Sequence, residues 1–165
     1  MNKYMVKTYS IFILVSLIIV SCTTIPQEKM VEAATKEYIS IIEINKNADE
    51  GFDLTMKWLN QTFVSAKNAI QYTDRNAHMI TGKAEMLVSS SIAGYSLPLV
   101  FTISIELKDK KARFVFNVVN TYVTVNGQTS INNKIAQFTY DEFELKAKEI
   151  VISFANYVNS NTHEW

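Results

Sequence analysis

The feature that most restricts the fold of this sequence is the alternation of residue types over Leu97–Lys108. One set of positions is apolar throughout and the other is mostly polar: Leu99, Phe101, Ile103, Ile105 and Leu107 against Val100, Thr102, Ser104, Glu106 and Lys108. Because successive side chains of a strand point to opposite faces, this pattern predicts a strand with one buried and one accessible face. Such strands are typical of antiparallel sheets.

Further runs rich in β-branched and aromatic residues predict the other strands of this sheet. They are Glu37–Ile44, Asn68–Thr73, His78–Val88 and Ala112–Val125. The dipeptide Asn126-Gly127 favours a tight turn after the last of these strands. A short return strand to Ile131 is compatible with this turn, but the pattern does not decide whether residues 126–138 form it.

Two segments have the apolar spacing of amphipathic helices. Ala48–Ala66 follows a capping box of Asn47 and Glu50, and Thr139 with Glu142 forms a second box before the C-terminal helix. The acidic cluster at the second box is interpreted as first-turn capping: Asp141, Glu142 and Glu144. The apolar faces are Phe52, Met56, Leu59 and Phe63 in the first helix, and Phe143, Ala147, Ile150, Val151, Phe154 and Val158 in the second.

These elements predict an α+β fold in the order β-α-β-β-β-β-α. The two helices need an apolar partner, and the apolar face of the antiparallel sheet supplies it, which leaves the other face of the sheet open. The domain is expected to span residues 37–158, with a solvated tail at 159–165. With a single cysteine, no disulfide can form within the chain, so the apolar core must stabilise the fold.

The first 21 residues are typical of a secretory signal peptide. Lys3 and Lys7 precede the apolar run Ile11–Val20, which is too short to span a bilayer. The tetrad Ile19-Val20-Ser21-Cys22 resembles the bacterial lipobox, which implies cleavage before Cys22 and lipidation of its thiol. The alternatives are an ordinary signal peptide with an incidental cysteine, or a short uncleaved anchor. We expect residues 22–36 to be a tether and the protein to be anchored by its lipid in the cell envelope, at the outer membrane; the sequence does not decide which leaflet it faces.

The segment Lys57–Ala84 resembles a family of uncharacterised bacterial proteins described as a domain of unknown function with a TBP-like fold. The residues that carry the resemblance are Trp58, Phe63, Ser65, Lys67, Ile70, Gln71, Tyr72, Asp74, Ile80, Gly82 and Lys83. The similarity extends more weakly over residues 38–158. It implies a TBP-like sandwich and a secreted protein or lipoprotein of Gram-negative bacteria, and it implies no activity, because fold does not fix function.

The charge and the reactive residues exclude several classes of function. Removing Lys3 and Lys7 from the 16 basic residues leaves 14, against 16 acidic residues, so we expect no nucleic-acid partner. The histidines are only His78 and His163, and the four glycines are isolated. We therefore expect no metal site, no phosphate-binding loop, no cofactor and no catalytic triad.

Two classes of function remain. We expect a non-enzymatic module that binds an envelope protein or a small ligand through the open sheet face or through the loop Ser89–Ser96; the oligomeric state is not predicted. The residues predicted to form this partner surface are Val100, Thr102, Val115, Asn117 and Val119. The alternative is a hydrolase-type envelope enzyme with a site around His78.

Overall fold

The structure, a computed structural model, describes residues 29–63, 70–90 and 95–161. The first half contains β1 (Met30–Glu32), a 3-10 turn (Ala33–Thr35), β2 (Glu37–Glu43), α1 (Ala48–Thr62), β3 (Ile70–Asp74) and β4 (Met79–Ser89). The second half contains β5 (Ser96–Lys108), β6 (Lys111–Val125), β7 (Gln128–Asn132), β8 (Lys134–Ala136) and α2 (Gln137–Ser160). The predicted signal peptide and Cys22 lie outside the described residues.

The strands form one antiparallel sheet and a small two-stranded ribbon. In the sheet the order is β2-β6-β5-β4-β3. Strand β6 is long enough to pair with two strands on the same side: its first half pairs with β2, and Thr121–Val125 pairs with β7. Strands β1 and β8 form the ribbon. The predicted α+β fold, with two helices against an antiparallel sheet, is confirmed, and the structure adds β1, β7 and β8 to it.

The core lies between the two helices and one face of the sheet. Phe101 and Phe116 of the sheet pack against Phe143 of α2, and Phe154 contacts Trp58 of α1 edge-on at 5.2 Å between ring centroids. The residues of the predicted apolar face of β5 are all buried, as are the alternate residues Ala112, Phe114, Phe116 and Val118 of β6. Burying one such aromatic side chain contributes about 1.5–3 kcal/mol. No helix in the described residues has both the length and the apolarity needed to cross a membrane.

The capping interaction predicted for the first helix is present in part. The Oδ1 atom of Asn47 accepts the backbone N–H of Glu50 at 2.9 Å, which satisfies one free donor of the helix start. In a complete capping box, the Glu50 carboxylate would accept the backbone N–H of Asn47. Here that carboxylate lies 2.8 Å from the ammonium of Lys46 and forms an ion pair with it. The described helix ends at Thr62, and residues 64–66 of the predicted helix lie outside the described residues.

The capping box predicted for the second helix is wrong. Helix α2 begins at Gln137, directly after β8, so Thr139 and Glu142 already lie inside it. Both side chains bond to the end of β4 instead: the Thr139 hydroxyl donates to the carbonyl of Ser89 at 3.2 Å, and the Glu142 carboxylate accepts the Ser89 N–H at 2.7 Å. The acidic cluster is likewise paired along the helix, with Lys146 and Lys148 bound to Glu142 and Glu144.

The tether predicted over residues 22–36 is wrong from Met30 onwards. Met30–Glu32 pairs with Lys134–Ala136, Ala33 is fully buried, and the carbonyl of Lys36 accepts the N–H of Val118. A three-residue strand is too short to show alternation, so the sequence pattern could not reveal it. At the other end, α2 continues to Ser160, two residues into the predicted tail.

Candidate functional site

The face of the sheet turned away from the helices is not covered by any described element. We call it the open face, and its regular positions on the four longest strands follow from the pairing registers. They are Glu37, Ile39, Ile41 and Glu43 of β2, Thr81, Lys83, Glu85 and Leu87 of β4, Val100, Thr102, Ser104 and Glu106 of β5, and Arg113, Val115, Asn117 and Tyr122 of β6. Tyr72 of β3 lies opposite Thr81 and extends this face.

Four of the five residues predicted as a partner surface lie together on the open face. Thr102 is directly opposite Asn117, and Val100 lies one alternate position along β5 from Thr102. Val115 lies between Ile39 and Ser104 and is only 9 % exposed. It is therefore outside the core between sheet and helices, yet its neighbours on the open face cover most of it.

The fifth residue, Val119, interrupts the strand rather than continuing the face. Phe101 pairs with Val118 and Val100 pairs with Asn120, so Val119 is the extra residue of a β-bulge. The bulge reverses the alternation of β6: Thr121 is buried, and Tyr122 reaches the open face, where its hydroxyl donates to Glu85 at 2.7 Å. Sequence reasoning missed Tyr122, because uninterrupted alternation would have placed Thr121 there.

The most exposed apolar side chains of the open face were also missed. Ile41 is 65 % and Ile39 is 45 % exposed, and Tyr72 and Leu87 are similarly accessible. Two of these residues lie on β2 and one on β3, the outer strands of the five-strand path. Their exposure follows from the position of the strand in the sheet, which local sequence does not encode.

The charges of the open face are mixed in sign and partly paired. The Arg113 guanidinium lies 3.1 Å from the Glu106 carboxylate of the neighbouring strand. The hydrogen bond from Tyr122 to the Glu85 carboxylate raises the pKa of the Tyr122 phenol, because ionised tyrosine could no longer donate it. A face of this kind provides no continuous positive field for a phosphate backbone.

Two hollows lie at the end of the open face near the β5–β6 turn. One, of about 220 Å³, is lined by Ile41, Glu106, Lys108, Lys111 and Arg113. The other, of about 450 Å³, is lined by Ala48, Ala77, His78, Met79, Glu106, Leu107, Lys108 and Asp109. Glu106 and Lys108 border both hollows, so they adjoin each other.

His78, the residue of the predicted alternative site, is held against the start of α1. It is 25 % exposed, its Nε2 atom lies 3.1 Å from Asp49 Oδ1, and its backbone is left-handed with a φ of 49°. Nearby, Arg75 binds Asp53 through two hydrogen bonds and lies over the ring of Phe52, and the Asp53 carboxylate raises the pKa of Arg75. These contacts hold the β3–β4 turn against α1.

The larger hollow has no hydroxyl or thiol nucleophile among the eight described residues that line it. The pair of His78 and Asp49 therefore has no serine, threonine or cysteine to activate among the described residues that line this hollow. Within residues 29–63, 70–90 and 95–161, no three His, Cys, Asp or Glu side chains are grouped to hold a metal ion. Residues 91–94 of the predicted binding loop lie outside the described residues.

The comparisons with known proteins agree with this fold. The model of a family described as a domain of unknown function (DUF4468) with TBP-like fold matches residues 38–122, just over half of the chain. The chain is similar to the crystal structure of a DUF4468 family protein from Bacteroides ovatus, with a TM-score of 0.57 and 11 % identity over 86 % of this chain and 95 % of that one.

A second similar structure is a TBP-like protein from Parabacteroides distasonis, with a TM-score of 0.53 and 9 % identity over 73 % of this chain and 92 % of that one. At such identities the likeness shows the fold alone. A search of the curated proteins finds no match. The resemblance predicted from Lys57–Ala84 is confirmed by the family match, which spans that segment. The chain therefore belongs to the DUF4468 family of domains of unknown function with a TBP-like fold.

Proposed function

We propose that this protein is a lipid-anchored component of the bacterial cell envelope that binds another protein through the open face. The anchor is the diacylglyceryl group expected on Cys22, and the protein acts by binding rather than by catalysis. The observation that carries the proposal is the combination of exposed Ile41, Tyr72 and Leu87 with a centre of mixed charge on one uncovered face. Interfaces between proteins combine apolar and aromatic contacts with paired polar groups in this way.

The dimensions and the charges of the open face favour a protein over a small ligand or a nucleic acid. The hollow bounded by Ile41 and Arg113 measures about 220 Å³, below the ~300–1,000 Å³ of pockets that enclose small molecules. The adjoining hollow of about 450 Å³ lies beside His78, and none of the exposed apolar residues Ile41, Tyr72 and Leu87 lines it; of these three, only Ile41 lines the smaller hollow. The ion pair of Arg113 and Glu106 neutralises two of its charged groups. A flat protein surface can contact the alternating apolar and charged positions together.

The anchor is tested by replacing Cys22. The Cys22→Ser variant lacks the thiol that accepts the lipid, so metabolic labelling with a clickable fatty acid is expected to mark the wild-type protein and not the variant. The matched control is Ser21→Ala, which keeps a small residue before the cleavage site. Equal labelling of the Cys22→Ser variant would refute lipidation at this residue.

The partner surface is tested by site-specific cross-linking in intact envelopes. A photo-reactive amino acid is placed at Thr102 or Asn117 on the open face, or at Ser153, an exposed position of α2, as the control. We expect the same discrete adduct from the first two positions and none from Ser153. The adduct should disappear when Val100→Lys is added, since this places a charge beside Thr102. The proposal would be refuted if the adduct from Ser153 were equally strong, or if none of the three positions gave an adduct.

The contact between His78 and Asp49 beside the larger hollow supports a second candidate, an envelope hydrolase that uses a water molecule as the nucleophile. It is tested with the purified protein and a panel of p-nitrophenyl esters and phosphates. An activity lost in His78→Ala and kept in Lys83→Ala would favour the enzyme. No turnover above that of heat-unfolded protein would refute this candidate.

A further inference from the structure

The backbone of β2 has hydrogen-bonding groups that point away from the sheet. In an antiparallel pair, alternate residues direct both their N–H and C=O groups to the partner strand, and the residues between them direct both groups away. The carbonyl of Lys36 accepts the N–H of Val118, and the N–H of Ile44 donates to the carbonyl of Lys110. The backbone N–H and C=O groups of the even-numbered residues in this stretch therefore point to β6. Those of Ile39 and Ile41 point away from the sheet.

A side-chain contact supports this assignment. The hydroxyl of Tyr140 in α2 donates to the carbonyl of Glu37 at 2.8 Å, as expected if odd-numbered carbonyls point outward. Within the described ranges, no strand pairs with this outer edge of β2. The N–H and C=O groups of Ile39 and Ile41 are thus accessible along the same edge at which their side chains are exposed.

The middle of this edge lacks the usual protection against strand addition. Edge strands are commonly protected by proline, by a bulge or by lysine. Glu37–Glu43 contains no proline or lysine and pairs with β6 in one continuous register, without a bulge. The only charged residues of the strand are the glutamates at its two ends, and all four odd-numbered side chains lie on the open face.

These glutamates define what the edge can accept. A strand added to β2 places one of its residues opposite each of Glu37, Ile39, Ile41 and Glu43. The side chains of these four added residues lie on the open face. A second copy centred on Ser40 would place each glutamate opposite another glutamate, which is unfavourable. A strand with lysine or arginine at both ends and two alternate apolar residues between them matches all four positions.

We propose that the outer edge of β2 binds an extended segment of another protein in which two alternate apolar residues are bracketed by lysine or arginine. Main-chain hydrogen bonds to Ile39 and Ile41 supply the binding, and the flanking glutamates select the sequence. The choice of a protein as the occupant rests on the function proposed above. The edge shares Ile39 and Ile41 with the open face, but β6 lies between its outward backbone groups and Thr102 of β5, so the two binding modes can be tested separately.

The first test measures fluorescence anisotropy of labelled peptides with the full mature chain. The probe is the peptide Lys-Thr-Val-Thr-Val-Thr-Lys, and the matched control has glutamate at both ends. We expect the basic peptide to bind at least roughly tenfold more tightly. N-methylation of both valine amides, which face β2, should abolish binding, whereas N-methylation of the second and third threonine amides should not. Equal effects of the two N-methylated peptides, or no binding of the basic peptide, would overturn the proposal.

The second test changes the protein. Reversing both charges in Glu37→Lys/Glu43→Lys should switch the preference to the acidic peptide, and reversing two exposed charges of α2 in Asp141→Lys/Glu149→Lys should not. Ile41→Pro removes an outward N–H, a change that edge strands tolerate, and should abolish binding while the thermal unfolding transition remains. If Ile41→Pro unfolds, the N-methylated peptides decide the question independently.

Two further outcomes separate the possible occupants. If wild-type protein sediments as a dimer and Ile41→Pro as a monomer, the edge binds a second copy and the proposal is overturned. If the open-face cross-links from Thr102 fail but the basic peptide binds and follows the two glutamates, the proposed open-face partner is refuted and the edge site stands. If the cross-links succeed and the peptide does not bind, the edge site is refuted and the proposed open-face partner stands.

Discussion

At the scale of single residues, Ser89 links the first turns of α2 to the end of β4. Its N–H donates to Glu142 at 2.7 Å and its carbonyl accepts from Thr139, so both backbone groups at the end of β4 are satisfied by side chains of α2. The N–H of Ser89 stabilises the charged carboxylate and is the main cause that lowers the pKa of Glu142 below its ordinary value.

This bond predicts a pH-dependent contribution to stability. Because the folded-state pKa of Glu142 is lowered, its contribution is present above the ordinary pKa of glutamate and is lost as the pH falls through the lowered value. We expect Glu142→Gln to reduce the free energy of unfolding by about 1 kcal/mol at neutral pH, and the difference from wild type to shrink in that acidic window. Urea unfolding at several pH values measures it.

The matched control for Glu142 is Glu149→Gln, which removes an exposed carboxylate of the same helix. This variant should unfold within about 0.5 kcal/mol of wild type at every pH. A difference between Glu142→Gln and wild type that stays constant down to the acid transition would contradict the role given to the Glu142 carboxylate.

At the scale of elements, the bulge at Val119 decides which residues of β6 reach each face. Before it, Phe114 and Phe116 point to the helices, and after it the odd-numbered Thr121 is buried. The number of residues, rather than the valine side chain, produces this reversal, because a shift by one residue exchanges the two faces of a strand.

Deleting Val119 should be much less harmful than deleting a neighbouring residue. Without Val119, Asn120 stays opposite Val100 and Thr121 stays opposite Leu99, so both faces of β6 are kept, whereas deletion of Thr121 puts Asn120 or Tyr122 at its buried position. We expect a loss of about 2–4 kcal/mol for the deletion of Thr121 and of about 1 kcal/mol for the deletion of Val119. Denaturant unfolding of both variants measures the difference, and equal losses would refute the assignment of Val119 as the extra residue.

How far the elements could be predicted depended on the length of their pattern. The twelve residues predicted as β5 extend over enough positions to fix which face is buried, and Phe101 lies where alternation placed it. Strands β1 and β8 have three residues each and show no period. Thr139 and Glu142 have the spacing of a capping box, but Gln137 and Phe138 extend the helix ahead of them.

Part of the open face could also be predicted, because it lies on long strands. Thr102, Val100 and Asn117 were correctly placed on the open face, because alternation assigns a face to each residue of a long strand. The exposed Ile39 and Ile41 were not found, since their accessibility depends on β2 being an edge strand. That property comes from the pairing of β2 with β6, which are far apart in the chain.

At the scale of the whole molecule, one aromatic cluster joins the sheet to both helices. Phe114 and Phe116 of β6 stack, Phe114 contacts Phe154 of α2, and Phe154 contacts Trp58 of α1. Because single domains are stable by only about 5–15 kcal/mol, the loss of one such side chain removes a large fraction of the total.

Phe101→Ala tests the shared core. Phe101 is fully buried against Phe116 and Phe143, so its truncation should reduce the free energy of unfolding by about 3–5 kcal/mol. The matched control is Val100→Ala, the adjacent residue on the open face, which should cost below about 1 kcal/mol. Guanidinium unfolding compares the two midpoints, and a larger loss for Val100→Ala would mean that the faces of β5 are exchanged.

The pairing of β2 with β6 also sets the order in which the chain can complete its fold. Strands β4, β5 and β6 are joined in sequence and can form a meander quickly, whereas β2 must wait for a partner that is synthesised much later. Contacts between distant parts of a chain slow folding, and an unpaired strand is prone to aggregate meanwhile. Until β6 is available, Ile39 and Ile41 therefore lie on a strand with two unpaired edges, and the unfinished chain is most prone to aggregate in this interval.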